Sequence, residues 1–550
     1  MVSVVKTVQN TDRLRQILTV LAKHGFGQLI GRLNLRALVP WGDKEEAPPK
    51  RTFAVRLRES LEELGPSFVK LGQIVSTRPD LIPAEVVTEL KKLQENVPPM
   101  APEEVREMLA DSFAGLEAEL FVKFDEAPLA SASIGQVHAA RLRREDGTEV
   151  DVVVKVQRPR IQTTIERDVD LLYLLARLIE RHVPESRIYS PVGLVGEFDR
   201  AIMAELDFMQ EADNAERFAR NFLGDPRVRF PHIYRHASGK RVLTMERFVG
   251  RKIYEMAAED DAGARIAVNA LHVIARMIFE HGFFHADPHP GNIIMLGSAA
   301  DPVIGLIDLG LVGRLSPEMR DRAISLMIAA VGGDPRALAE ALVGMGKPRG
   351  RVDMEAFTAE VAVLSEKYLG RPVSEIEVSA LIRDLVQGAI KYEIDMPVEM
   401  VMVGKALMTV EGIGKEIHPE LDVWTELRPY FLKLLRDRYS PERLGRDLLR
   451  NITKLGATAE KLPGQVGDIL EDLRSGRLEL KMRDPELALA GDRLGRRIHA
   501  AVTTGAMLLG GVGLLAVGRH ENLAMFLLIF AAVHAVFHTW RDLRRKTERS

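Results

Sequence analysis

The run His285-Ala286-Asp287-Pro288-His289-Pro290-Gly291-Asn292 places an Asp and an Asn five residues apart in one expected loop. Ile307-Asp308-Leu309-Gly310 supplies a second Asp about one hairpin later. These residue types at this spacing suit phosphoryl transfer. Asp287 can meet an incoming hydroxyl or water, while Asn292 and Asp308 hold magnesium on nucleotide phosphates. Mg²⁺ prefers hard oxygen ligands and takes few of them from protein. His285 and His289 read as residues that fix the loop, because no third ligand keeps zinc spacing and no HExxH is present.

Upstream pieces fit the same chemistry. Lys155 lies in Thr148-Glu149-Val150-Asp151-Val152-Val153-Val154-Lys155-Val156, whose β-branched residues predict a strand. Alternation puts Lys155 and Val153 on one face and Val152, Val154 and Val156 on the other, toward a core. Lys155 can then touch phosphate while Val153 covers a base. Taken alone, an edge-strand lysine that discourages aggregation is the simpler explanation.

One hairpin earlier, Leu129-Ala130-Ser131-Ala132-Ser133-Ile134-Gly135-Gln136-Val137 reads as a small-residue turn. The backbone of Ala130, Ser131, Ala132, Ser133 and Gly135 is expected to approach phosphate; a single glycine makes this no GxGxxG loop, and taken alone a plain small-residue turn is the simpler explanation. Glu205 to Asn214 reads as one helix with Asp207, Glu211 and Asn214 on one stripe. Glu211 can pair with Lys155; a solvated acidic face is the plainer alternative. Leu243 to Gly250 reads as a strand leading into a connector, with Met245 at the adenine edge. Val137 and Ile294 complete the expected nucleotide lining.

The elements needed to position these residues follow from the same pattern. Strands are expected from Phe124 to Gln157, a helix from Ile161, strands again near Arg229 to Arg247, and mostly helices from Ile253 onward. That order argues for a small β-rich lobe above a larger helical lobe. A helix from Ala270 to His281, stopped at Gly282 as a C-cap, delivers the loop. At 550 residues the chain exceeds one hydrophobic core, so two to four domains are expected. Its 46% hydrophobic and 28% charged residues mark it as globular. The net charge of -3 gives no global attraction to nucleic acid. With no cysteine, disulfides, thiolate metal sites and Cys nucleophiles are excluded.

The order of turn, strand Lys, helix Glu, connector, Asp…Asn and Asp-Leu-Gly resembles that of a protein-kinase-like fold. Lys70-Leu71-Gly72-Gln73, the alanine-bearing turn, Glu205-Leu206-Asp207 and the His-Ala-Asp-Pro-His-Pro-Gly-Asn loop together resemble the UbiB family of atypical kinase-like proteins. The resemblance implies an N-terminal helical extension packed over the site, with Lys70 and Gln73 facing Glu205 and Asp207. It implies that Lys155 pairs with Glu211 and the phosphates, that Asp287 is catalytic, and that Asn292 and Asp308 bind Mg²⁺ with ATP (or ADP). It links the chain to ubiquinone biosynthesis, with membrane lipid, quinone intermediates and quinone-biosynthesis enzymes as partners, and allows a homodimer. ATP hydrolysis is favoured over protein phosphorylation. Ala286 stands where protein kinases usually carry Arg, and Ser316-Pro317-Glu318 is only a loose echo of Ala-Pro-Glu. Two other functions fit the residues less well: a nucleotide-binding scaffold for lipid-synthesis enzymes, and a phosphotransferase for soluble small molecules.

The C-terminus has its own signature. Ile498 to Val517 is uncharged across twenty residues, and helical rise carries it about 30 Å. Leu523 to Trp540 is a second such run. Arg493, Arg496 and Arg497 precede the pair, and Arg541, Arg544, Arg545, Lys546 and Arg549 follow it. Both ends are therefore expected on the cytoplasmic side of a bacterial inner membrane; a buried soluble helical pair is the alternative. The N-terminus reads as no signal peptide. The expected fold is α+β: a bilobal protein-kinase-like fold with an N-terminal helical extension and a C-terminal two-helix transmembrane hairpin. The expected divisions are an N-terminal helical segment (1–50), the extension (51–123), a small lobe (124–249), a large lobe (250–440), an amphipathic linker (441–497), the hairpin (498–540) and a basic tail (541–550).

Overall fold

A computed structural model describes residues 2–39, 51–76, 82–93, 98–184, 186, 190–259, 261–369 and 378–438, with a scatter of residues between 503 and 534. The chain divides into two compact units, 1–440 and 441–550. The first unit opens with helices: α1 (Val2–Lys23), α2 (Gly27–Arg32), α3 (Phe53–Leu64), α4 (Pro66–Ser76), α5 (Ala84–Leu90), α6 (Pro102–Phe113) and α7 (Glu117–Leu120). Local chemistry sets the joint between α3 and α4. Thr52 caps α3 by accepting from the Val55 N–H, Gly65 ends it at φ +98°, and Pro66 starts α4.

The small lobe is an antiparallel sheet in the order β1-β2-β3-β5. Its strands are β1 (Phe121–Ser131), β2 (Gly135–Arg143) and β3 (Glu149–Gln157), and later β5 (Val242–Glu246). Between β3 and β5 come α8 (Ile161–His182), α9 (Pro191–Glu205), α10 (Phe208–Asn221) and the short β4 (Val228–Arg229). The sheet begins at Phe121, three residues before the expected start, because Phe121 packs with α6 in the cluster on the sheet's outer face.

The large lobe begins with α11 (Ile253–Ala257) and α12 (Ala262–Ala275), which passes into a π-helical turn over Arg276–His281. The helix thus starts eight residues earlier than its apolar pattern suggested and ends at Gly282, φ +58°. β6 (Phe283–His285) pairs with β9 (Val312–Arg314), and β7 (Ile293–Gly297) with β8 (Pro302–Leu306). These two small ladders frame the loop containing Asp287. α13 (Pro317–Gly332), α14 (Pro335–Met345), β10 (Lys347–Pro348), α15 (Met354–Leu369), α16 (Val378–Lys391), β11 (Ile394–Asp395), α17 (Val398–Ile417) and α18 (Val423–Arg438) complete the unit.

Among the described residues, one helix is long and apolar enough to cross a membrane, Ala262–His281, and it is a mostly buried core helix of the large lobe. The expected 498–540 hairpin lies largely outside the described residues, as do the linker Asp43 to Lys50, the 441–497 stretch and the basic tail. The few described positions in both apolar runs are helical, and Thr504 Oγ1 lies 3.1 Å from His534 Nδ1.

Candidate active site

β3 sits between β2 and β5, and its register decides what the site sees. Val137 is paired with Lys155, and Val153 with Met245. Cross-strand partners share a face, so these four residues line one side of the sheet. Val152, Val154 and Val156 turn to the other side, where they are fully buried against Val105, Met108 and Leu109 of α6. The core on that side is what holds Lys155 toward the cleft.

Lys155 Nζ meets Glu211 Oε2 at 2.7 Å, and the Phe208 ring centre lies 5.1 Å from the ammonium. Glu211 stands in the first turn of α10. The single helix expected from Glu205 to Asn214 is broken: α9 ends at Glu205, and Asp207 is the N-cap of α10, accepting from the Met209 N–H at 3.1 Å. Asp207 therefore does not share a stripe with Glu211. The capping preference of Asp wins over helix continuation. Asn214 lies further along α10, and its amide donates to the Leu309 carbonyl at 3.0 Å, tying this helix to the Asp-Leu-Gly segment.

The small-residue turn is pinned rather than loose. Arg158 donates to the Ala132 carbonyl and to Ser131 Oγ, and the Ala132 N–H donates to the Gly135 carbonyl at 2.9 Å. Ala130, Ser131 and Ala132 keep exposed surface, whereas Ser133 and Gly135 are buried. Gly135 is required by packing, since a Cβ there would lie 2.6 Å from the Val156 carbonyl oxygen.

The loop from His285 is held by its own side chains. The Asp287 N–H donates to His285 Nδ1 at 3.1 Å, and the Gly291 N–H donates to His289 Nδ1 at 3.0 Å. Asn292 Nδ2 donates to the Asp287 carbonyl at 3.3 Å, while the Asn292 carbonyl accepts from the Ile307 N–H at 3.1 Å. Asn292 thus joins the loop to the segment after β8 that carries Asp308. Ile294 takes the less buried face of β7, beside the connector, whose Arg251 exchanges two backbone hydrogen bonds with Met295. Burial holds the His285 imidazole down to about 4, against the pull of Asp308 and Asp287, so it stays neutral and its Nδ1 can accept.

Charge is concentrated at the far end of the loop. A Cβ added at Gly310 would lie 3.4 Å from Asp308 Oδ1 and 3.9 Å from Glu211 Oε2, so the two carboxylates converge. Burial acts to lower the Lys155 ammonium, but Glu211 and Asp308 outweigh it and hold Lys155 above its ordinary value. Burial pushes the Glu211 carboxyl up despite Lys155. Asp308 keeps a solvent-exposed surface in the cleft with protein around the rest. Burial pushes its carboxyl up, yet Lys155, the Gly310 N–H, His285 and Lys70 together hold it below the usual range. Glu211 bonds the Lys155 ammonium while Asp308 converges on Glu211 and faces the cleft, which leaves the cleft attractive to a cation. Among the described residues no cluster of three or more His, Asp or Glu offers a metal cage. A donor set of Asn292 and Asp308 therefore fits Mg²⁺ carried on phosphates better than a bare structural ion.

The helical extension reaches the same place. Lys70 Nζ on α4 meets Glu205 Oε1 at 2.7 Å, at the end of α9. Gln73 does not bond to Asp207: it donates to the Leu93 carbonyl at 3.4 Å, and Asp207 Oδ1 accepts from the Met209 N–H as a cap. Phe68 on the opposite stripe of α4 is buried, which turns Lys70 outward. After Gly310 the chain reaches α13 within a few residues. Ser316 is that helix's N-cap, accepting from the Met319 N–H at 3.1 Å, so Ser316-Pro317-Glu318 starts a helix and closes no long activation loop.

Sequence reasoning missed Arg158, Phe208 and Lys405. Lys405 Nζ on α17 lies 2.9 Å from Asp287 Oδ1. The signal was a lone cation in the apolar run Val401-Met402-Val403-Gly404-Lys405-Ala406-Leu407-Met408.

A four-stranded sheet over a helical lobe, with a strand lysine paired to a helix glutamate above an Asp…Asn loop, defines a kinase-like protein. The chain matches the ABC1 atypical kinase-like domain over residues 92–342 and the UbiB helical domain over 361–422. It is 34% identical over 499 residues to the "Probable protein kinase UbiB" of Pseudomonas putida (strain W619), covering 90% of this chain and 89% of that one. It is 36% identical over 484 residues to the protein so named in Marinobacter nauticus, covering 86% and 87%. A solved structure, the complex structure of Rv3197-erythromycin from Mycobacterium tuberculosis, is 22% identical with a TM-score of 0.47, covering 67% of this chain and 92% of that one. The chain belongs to the UbiB family of atypical kinase-like proteins.

Proposed function

We propose that this protein is a membrane-anchored, MgATP-dependent ATPase or unorthodox kinase that supports ubiquinone biosynthesis at the bacterial inner membrane. The observation that carries the reading is the convergence of Lys155, Glu211 and Asp308 beside a loop in which Asn292 and Asp287 are bonded. In this reading Val137, Val153, Met245 and Ile294 enclose the base, and Lys155 and the backbone of Ala130 to Ala132 meet phosphate. Asn292 and Asp308 hold Mg²⁺, which offsets phosphate charge. The Asp287 carboxylate accepts a hydrogen bond from water or an acceptor hydroxyl. That oxygen attacks the γ-phosphorus, the bond to the β–γ bridging oxygen breaks, the attacking oxygen's proton passes to Asp287, and ADP leaves. The hairpin at 498–540 anchors the chain, with lipid, quinone intermediates and quinone-biosynthesis enzymes as partners.

Hydrolysis by purified full-length protein with lipid tests the reading. Asp287→Asn should lower the rate by about 100-fold or more while MgADP still binds. A rate equal to the native one would remove Asp287 from the chemistry.

A nucleotide-binding scaffold is the second reading, favoured by the short path from Gly310 to α13 and by the Lys70–Glu205 contact of the extension, which together leave little platform for a peptide. Restoration of quinone pools in deficient cells by a variant that binds nucleotide without hydrolysing it would favour the scaffold.

A further inference from the structure

The acceptor carboxylate has a counter-ion that comes from outside the kinase-like core. Between Asp287 and Asn292 the loop carries no Lys or Arg. Two other cations of the site, Lys155 and Lys70, are engaged with Glu211 and Glu205. Asp287 instead meets Lys405 Nζ at 2.9 Å, with both side chains partly exposed at 29% and 36%. Lys405 is delivered by a fixed element. Its neighbours Val401, Val403, Ala406 and Leu407 are buried, and a Cβ on Gly404 would lie 3.0 Å from Ile382 of α16. α17 also packs along α12 and touches β9. The ammonium is therefore set against the catalytic loop by helix packing and not by the loop itself.

A triphosphate brought beside Asp287 places like charges together, and a carboxylate that swings away from the attacking oxygen cannot take its proton. We propose that Lys405 is a positioning residue for Asp287: it holds the carboxylate in place and offsets its charge as phosphate approaches, so that the helical domain completes the site. The inference rests on the proposed reaction at Asp287.

The test is MgATP hydrolysis and MgADP binding by the full-length protein in lipid, for the native chain, Lys405→Met, Lys405→Arg, Asp287→Asn and the double variant. Lys405→Met should lower kcat by about 10–100-fold with MgADP affinity unchanged, and Lys405→Arg should recover most of the loss. The double variant should be no slower than Asp287→Asn alone, because the lysine acts through the carboxylate. If Asp287→Asn is inactive but Lys405→Met keeps the native rate, or if the two losses multiply, the role of Lys405 is overturned while the reaction at Asp287 stands. Full activity in Asp287→Asn overturns both. Should Lys405→Met fail to fold, Lys405→Gln replaces it under the same comparison.

Discussion

Lys155 on β3 and Glu211 on α10 close an ion pair of 2.7 Å across 56 residues of sequence, with the Phe208 ring against the ammonium. Both side chains are largely shielded, at 15% and 7% exposure. The pair joins the sheet to the helix that also holds the Asp-Leu-Gly segment through Asn214. One contact thus couples strand position, helix position and the placement of Asp308.

Removing Glu211 takes the bonded carboxylate from a largely shielded ammonium and leaves it only the more distant Asp308 and Glu205. Glu211→Ala is expected to lose about 3–5 kcal/mol of stability, and Glu211→Gln less, since it can still accept from Lys155. Urea unfolding of the two variants checks this; equal losses would mean that the carboxylate contributes through its charge and not through its shape or its ability to accept.

Lys155→Met leaves Glu211 and Asp308 converging without their shared cation. Millimolar Mg²⁺ alone should therefore raise the melting temperature of this variant more than that of the native chain. A shift no larger than the native one would show that the two carboxylates do not form a common cation site.

Lys70 and Glu205 are only partly buried, so their pair contributes about 1 kcal/mol or less to stability. Its effect should appear in nucleotide turnover and exchange. Lys70→Glu and Glu205→Lys are each expected to change the hydrolysis rate, and the charge-swapped double variant to return toward the native rate. Additive effects in that cycle would rule out an interaction between the two side chains.

His285 gives the site a dependence on pH. Its folded pKa is pushed down to about 4 by burial, below the unfolded value of about 6.5. Between those values the unfolded chain binds the extra proton, so stability is full above about pH 6.5 and falls as pH drops toward 4. The loss should reach about 3 kcal/mol by the lower limit. Unfolding measured at pH 7.5 and pH 5 should show a smaller difference in His285→Gln than in the native chain; parallel behaviour would exclude His285 as the source.

Deletion of the residues after Arg497 should move the protein from membranes to the soluble fraction, given two uncharged runs flanked by arginines. Fractionation with an antibody to the N-terminus reads the outcome. Retention on membranes would assign anchoring to another surface.

Much of the fold was legible because periodicity reports burial directly. The alternation of Val152, Val154 and Val156 against Val153 and Lys155 fixed a face before any neighbour was known, and strands followed by helices fixed the two lobes. The Asp287, Asn292 and Asp308 spacing was equally local, as were the His285 and His289 loop bonds. The helix from Glu205 failed because a capping Asp and a continuing helix have similar local patterns, and the Gln157 side chain, donating to the Leu206 carbonyl at 2.8 Å, helps hold the break. Gln73 found Leu93 rather than Asp207 for the same kind of reason: its partner depends on where α5 and the chain after it pack.

The sequence alone determined the residue types, their order and the faces they occupy, since these follow from chain geometry over a few residues. Tertiary structure alone decided that Lys405 meets Asp287, that Arg158 pins the small-residue turn, and that the Asp308 and Glu211 carboxylates converge beside Lys155. Those contacts join segments whose separation along the chain carries no distance information, so only packing can select them.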